Sequence, residues 1–349
     1  MARTSSFAVF FLGFCLSRLA LAGGPALIPV ATPHRVQQTV ERAIGYLQTE
    51  SAAWLSQRKC AACHHAAMPL WSLSEAGRQG YAIDRKFVAE TTEAILGSRE
   101  KMMASKILSN PADPPDPRPI ARGVNTGAVF MAVAARSLPS LEEGQKQSLR
   151  FIVDEAVKKQ REDGSWEFFL SRPPINESQA TDAAWIIMAL QGETGHDVPE
   201  SHRASLEKGM AWLDGAELSD KHQVKVLKLL VAIRAGKPRD KLQAIIDELL
   251  AQQRTDGGWS QTAEMTSDAF ATGQTLYVLS LAGYTAERPE IKRAIDFLIA
   301  TQKPDGSWPM TSRSTPDGKP GGAKLLRPIT CAASAWATLG LARLAPKGS

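Results

Sequence analysis

Gln160, Asp163, Gly164 and Trp166 recur with the same spacing as Gln253, Asp256, Gly257 and Trp259, and again as Gln302, Asp305, Gly306 and Trp308. Gln48 and Trp54 keep the Gln-to-Trp interval without the Asp-Gly pair. Such a repeat constrains the fold more than any other feature of the chain, because a short unit that cannot bury its own apolar face must stack on its neighbours. Each unit follows a segment of helical apolar period, such as residues 294–299, and precedes a small-residue-rich one, such as residues 181–190. Gly at the end of a helix accepts the left-handed conformation of a C-cap, so Asp-Gly is expected to end the first helix. The Trp then folds over the exposed helix end while the Gln bonds the released backbone groups. A helical hairpin results, and these residues are structural.

Laid along the chain, the pattern predicts an all-α protein of six hairpins and about twelve helices. The outer helices are expected at residues 35–52, 85–106, 141–160, 200–216, 239–253 and 288–302. Their inner partners are expected at 62–77, 125–137, 180–193, 221–235, 268–283 and 329–344. Six such units can close on themselves and bury the two end faces that an open solenoid exposes. The expected architecture is an α/α toroid with the sixth hairpin against the first.

A second signal is Cys60, Cys63 and His64: two thiols two residues apart, followed at once by imidazole, form the attachment signature of c-type haem. The thiols add across the haem vinyl groups and the histidine reaches the iron from one face. That chemistry belongs to exported proteins, and residues 1–22 have the composition of a signal peptide. Arg3 supplies the positive start, residues 7–16 the apolar core, and Ala20, Leu21 and Ala22 a small-residue cleavage site. The domain reading is therefore a signal peptide at 1–22, a flexible segment at 23–34 and a single toroid at 35–345. The mature protein is expected to be soluble and periplasmic or secreted, with no transmembrane helix, since no later segment reaches about 18 to 20 uninterrupted apolar residues.

Cleavage leaves Cys60, Cys63 and Cys331, an odd set that argues against a disulfide framework. Of 41 basic and 36 acidic residues, Arg3 and Arg18 leave with the signal, so the mature balance is 39 minus 36, or +3. Nothing in that balance, or in any basic run, points to nucleic acid.

The three Gln-to-Trp units resemble the repeats of squalene-hopene and oxidosqualene cyclases, and the toroid is similar to that of protein prenyltransferase β-subunits. The likeness covers roughly residues 35–345. With the haem motif, the chain also resembles exported bacterial proteins with prenyltransferase and squalene oxidase repeats. The resemblance implies an apolar ligand, such as an isoprenoid, held in a central cavity. Cyclases of this kind protonate their substrate with Asp-x-Asp-Asp, which this chain lacks, and where the transferases carry a zinc-binding Cys two residues after Asp268 this chain has Phe270.

Asp182 and Asp268 fall where inner helices begin. Helix capping is their ordinary role, and the functional one is a pair of cavity acids. His64 is the expected proximal haem ligand. Met265 and Met310, in segments that follow a repeat Trp, are the distal candidates, with His222, Met102 and Met103 behind them. Met68 sits on the same helix face as His64, so it cannot reach the opposite side of the iron. His65 reads as a rim histidine. The alternative metal is zinc, held by Cys60, Cys63, His65 and Asp268. Trp71, Phe130, Trp185, Phe270, Tyr277 and Trp336 line an apolar pocket or pack between the helix layers. Residues 110–119 and 311–323 read as rim loops.

Three functions follow. The first is an exported haem c protein that transfers electrons to a redox protein partner or oxidises an apolar small molecule in the cavity. The second is a zinc- or acid-dependent isoprenoid transferase or cyclase. The third is a non-catalytic binding module.

Overall fold

The inner and outer helices differ in burial as their sequences predict. In the segments 222–232 and 269–279 every residue is buried, so these helices are covered on all sides. In Pro289–Thr301 only Ile291, Ala294, Ile295 and Leu298 are buried, the single stripe of a helix that faces solvent with its other side.

The computed structural model describes residues 31–58, 63–97, 124–168, 173–192, 198–216, 221–310, 313 and 323–347. Among them are twelve α-helices: α1 (Pro33–Arg58), α2 (Met68–Arg78), α3 (Arg85–Leu96), α4 (Thr126–Arg136), α5 (Glu143–Lys158), α6 (Gln179–Gln191), α7 (Glu200–Gly215), α8 (His222–Arg234), α9 (Arg239–Ala251), α10 (Ala269–Leu281), α11 (Pro289–Thr301) and α12 (Ala323–Leu344). A π-helical turn, Cys63–Ala67, leads into α2. The proposed signal peptide, Cys60, Met102, Met103, the 110–119 loop and most of the 311–323 loop lie outside the described residues.

Even-numbered helices form the inner layer, each packed on the next, and α12 packs back on α2. Ser72 Oγ donates to the Ala335 carbonyl (2.9 Å) and Tyr81 OH to the Ala345 carbonyl (2.6 Å), so α2 and α12 run parallel in register. The ring is closed, as the repeat predicts. Close approach of α10 and α12 requires Gly273, where a Cβ would stand 2.4 Å from the backbone nitrogen of Ala337.

The repeat residues tie one unit to the next. Trp166, Trp259 and Trp308 donate their indole N–H to Ala156, Leu249 and Leu298, ten residues back in the last turn of the outer helix, at 2.6 to 2.9 Å. Gln160, Gln253 and Gln302 donate to the carbonyl of their own turn glycine and to a carbonyl of the next outer helix: Ser205, Glu290 and Thr39. The third of these bonds, from Gln302 to Thr39 at 2.9 Å, closes the ring with the contact that joins consecutive repeats elsewhere. Gln302→Ala is expected to lower the unfolding free energy by about 2 kcal/mol in a urea titration, for the two bonds that its Nε2 donates, the exposed bonds that its Oε1 accepts from Arg42 adding little.

Two expectations need correction. Asp-Gly does not end the outer helices, which stop at Lys158, Ala251 and Thr301. Gly306 does take a φ of +90°, but in the turn beyond the helix, where a Cβ would stand 2.2 Å from the Arg42 carbonyl. Glycine is needed there so that neighbouring repeats can touch. Helix α1 does not end at residue 52 but runs on to Arg58, carrying Trp54 within it. Without Asp-Gly nothing turns the chain after Gln48, whose Oε1 instead accepts the Asp84 N–H (3.0 Å).

Candidate functional site

All inner helices follow their outer partners in the same sense, so their N-termini share one rim. At that rim the turn Cys63–Ala67 carries the end of the haem motif. Wide π-type turns of this kind are frequent at functional sites. His64 is half-buried, and its Nδ1 lies 2.9 Å from Nδ1 of His65. His65, in the same turn at the rim, is fully buried. Its ring stacks on Trp54 at 3.9 Å, and its Nε2 lies 3.1 Å from Glu50 Oε1. The same Glu50 pairs with Arg327 of α12, one turn before Cys331. Hairpin six thus reaches the haem motif through Glu50. Cys331 is buried, and burial holds its thiol well above the usual range, so it is an inert core residue at neutral pH.

Asp182 and Asp268 hold different positions at the starts of their helices. Asp268 is the N-cap of α10 and accepts the Ala271 N–H at 2.9 Å. Asp182 caps nothing, because Ser178 takes that place in α6. It is buried one turn further in, where it accepts from Thr126 (3.3 Å) and Asn176 (3.2 Å). Burial, opposed by these two hydrogen bonds, pushes the Asp182 carboxyl up to about 7. Burial also pushes Asp268 up to about 6, against hydrogen bonds from Ala271, Gln261 and Phe270 and the charge of Arg313. Either acid can exchange a proton near neutrality.

A polar chain absent from the sequence reading leads away from Asp268. Gln261 donates to Asp268 Oδ2 (3.0 Å), Arg313 Nε donates to Gln261 Oε1 (3.0 Å), and Arg313 pairs with the fully buried carboxylate of Glu177. Glu177 follows Asn176, so the chain ends next to the partner of Asp182. Gln261, Glu177 and Asn176 all fall between a repeat Trp and the next inner helix, and that position is the signal that could have found them.

The other candidates are accounted for individually. His222 Nε2 lies 2.7 Å from Thr275 Oγ1, and burial pulls this histidine down to about 4. Thr275 already donates to Ala271, so the histidine N–H is the donor and that nitrogen is committed away from iron. Met310 is buried in the core, while Met265 is half-exposed in the turn between Trp259 and α10. Among the described residues no three His, Cys, Asp or Glu side chains group to hold a metal. The zinc set draws on Cys60, outside that range, and on His65 and Asp268, whose polar atoms already bond protein groups.

Below the rim the bore is filled. Trp71 of α2 meets Trp185 of α6, Tyr277 of α10 and Trp336 of α12 with ring centroids 5.1 to 6.1 Å apart. Phe130 of α4 packs on Trp185 (4.4 Å), and Phe270 on Trp336 (6.4 Å). The first and third hairpins are not neighbours in the ring, so the contact of Trp71 with Trp185 crosses it. These aromatics neither line an open pocket nor pack only between the layers. They face inward onto one another as tilted and edge-to-face pairs. A groove of 1290 Å³ opens elsewhere, between α2, α3 and the turn after α4, beside Leu73, Tyr81, Val88 and Leu138.

Residues 223–347 match the family model of the squalene-hopene cyclase C-terminal domain. No curated protein sequence matches the chain. Among solved structures, the type II terpene cyclase MstE from Scytonema, bound to geranylgeranyl dihydroxybenzoate, is 14% identical with a TM-score of 0.52. The match covers 90% of this chain and 98% of that one. The unsaturated glucuronyl hydrolase from Bacillus sp. GL1, which degrades glycosaminoglycan, is 13% identical with a TM-score of 0.56, over 88% and 96% of the two chains. At such identities the likeness is one of fold, and these two neighbours run different chemistries on it.

Proposed function

We propose that this α/α toroid, whose residues 223–347 match the squalene-hopene cyclase C-terminal domain, serves as an exported c-type haem protein whose redox chemistry lies at the rim and not in the bore. The filled bore carries this reading. A toroid that cyclises an isoprenoid needs an open chamber on its axis, and here that space holds Trp71, Trp185, Tyr277 and Trp336. In this reading Cys60 and Cys63 would supply the thiols for thioether attachment, and His64, at the rim, the imidazole. The donor set fits haem: a proximal histidine binds iron through one ring nitrogen while the other is held by a protein partner, and His64 Nδ1 has that partner in His65. Bound haem supplies one-electron chemistry, for exchange with a redox protein partner or with an apolar molecule at the rim.

A second reading, acid-dependent chemistry on an isoprenoid, is favoured by Asp182, a buried carboxyl that titrates near 7. The lack of Asp-x-Asp-Asp and the closed bore weigh against it.

Protein produced in a host that matures cytochromes c is expected to show Soret and α bands and to keep one haem through denaturing mass spectrometry. His64→Ala is expected to disturb the spectrum strongly. A haem-free mass from such a host, with turnover of a polyprenyl substrate that Asp182→Asn abolishes, would establish the second reading instead.

A further inference from the structure

His64 and His65 approach each other through the same ring nitrogen, Nδ1 to Nδ1 at 2.9 Å, and only one hydrogen fits between them. The far side of His65 decides whose it is. Its Nε2 lies 3.1 Å from Glu50 Oε1, and both Glu50 oxygens accept from the Arg327 guanidinium. Such a carboxylate only accepts, so His65 Nε2 carries a hydrogen. An uncharged His65 then presents a lone pair at Nδ1, and the shared hydrogen belongs to His64 Nδ1. That tautomer puts the lone pair of His64 on Nε2, the nitrogen a metal takes. Trp54 fixes both ring planes, stacked on His65 at 3.9 Å and edge-on to His64 at 5.9 Å.

We propose that Glu50 and His65 are positioning residues that set the orientation and tautomer of His64 through this relay, and that Arg327 locks it across the seam where the ring closes. The inference rests on the haem reading for its purpose but not for its geometry. With haem bound, an acceptor at His64 Nδ1–H makes the ligand a stronger donor, which favours ferric iron and lowers the reduction potential.

The test has two arms. In the ¹⁵N-labelled full chain from a host without haem maturation, long-range nitrogen–proton correlation is expected to show His64 protonated at Nδ1 and unprotonated at Nε2. Finding a proton on His64 Nε2, whichever of the two rings is then doubly protonated, overturns the relay, and this wild-type spectrum decides even if every variant misfolds. In the haem-loaded protein, Glu50→Gln is expected to raise the potential while Glu50→Asp restores it in part. An unchanged potential in Glu50→Gln overturns the role of Glu50. Failure to load haem at all overturns the haem reading and leaves the tautomer arm to stand or fall alone.

Discussion

Trp308→Ala is expected to lower the unfolding free energy by about 3 to 5 kcal/mol, the usual cost of emptying a buried aromatic site. Trp308 is 1% exposed, its indole N–H bonds Leu298, and its backbone N–H bonds Ser334 Oγ of α12. Trp166 and Trp259 make the same indole bond, so their alanine variants should lose a similar amount. Location separates the three. Trp308 shares its turn with Gln302 and Gly306, which rest on α1, so its loss should also loosen the ring at the seam. Amide exchange in α1 and α12 should accelerate in Trp308→Ala and much less in Trp166→Ala. Equal exchange in the two variants would mean that the seam is no weaker than any other repeat boundary.

Asp182→Asn is expected to stabilise the protein at pH 8 by as much as about 4 kcal/mol while changing little near pH 4. The folded-state pKa of Asp182, about 7, lies above its ordinary 3.8, so the folded protein holds this proton where the unfolded chain has released it. The stability that the protonated form contributes is complete below about pH 4 and is lost as pH rises through 7. Three pH units at about 1.4 kcal/mol each give the magnitude. Asparagine copies the protonated acid, accepting from Thr126 and Asn176 and donating where the carboxyl O–H would. His222, pulled down to about 4, has the opposite slope between its folded value and 6.5, and Asp268 a slope of the same sign as Asp182. The quantity to measure is therefore the wild-type curve minus the variant curve, from chemical denaturation at each pH. A difference independent of pH would show that Asp182 is ionised throughout and that the second functional reading has lost its acid.

The stacking of helices was legible in the sequence because it is written locally. Period 3.6, small residues on inner helices and the Gln-to-Trp unit report burial one residue at a time, and α5, α9 and α11 begin and end within two residues of their expected limits. The repeat pattern marks a glycine in each unit but not the reason for it. The constraint on Gly306 comes from Arg42, 264 positions earlier in the chain, and no local pattern shows an approach of that kind. Trp54 failed in the same way: its spacing matched the repeat, yet the helix ran through it and turned its ring onto His65.

Asp182 and Asp268 stand out in the sequence by their place at helix starts, and the Cys-x-x-Cys-His motif by its spacing. Both are properties of short segments. Which acid caps and which is buried depended on Ser178 and Gln261, and the partners Glu177, Arg313, Glu50 and Arg327 come from loops and helices far away in sequence. Local interactions set the helices, their pairing and the place of the Cys63–Ala67 turn, since hydrogen bonding within a helix and apolar periodicity act over a few residues. That the ring of inner helices would press Trp71, Trp185, Tyr277 and Trp336 together and fill the bore follows from the packing of distant segments. Whether an inward aromatic lines a cavity or closes it is set by the radius of the ring and by the side chain opposite, and closing the chain on itself fixes both.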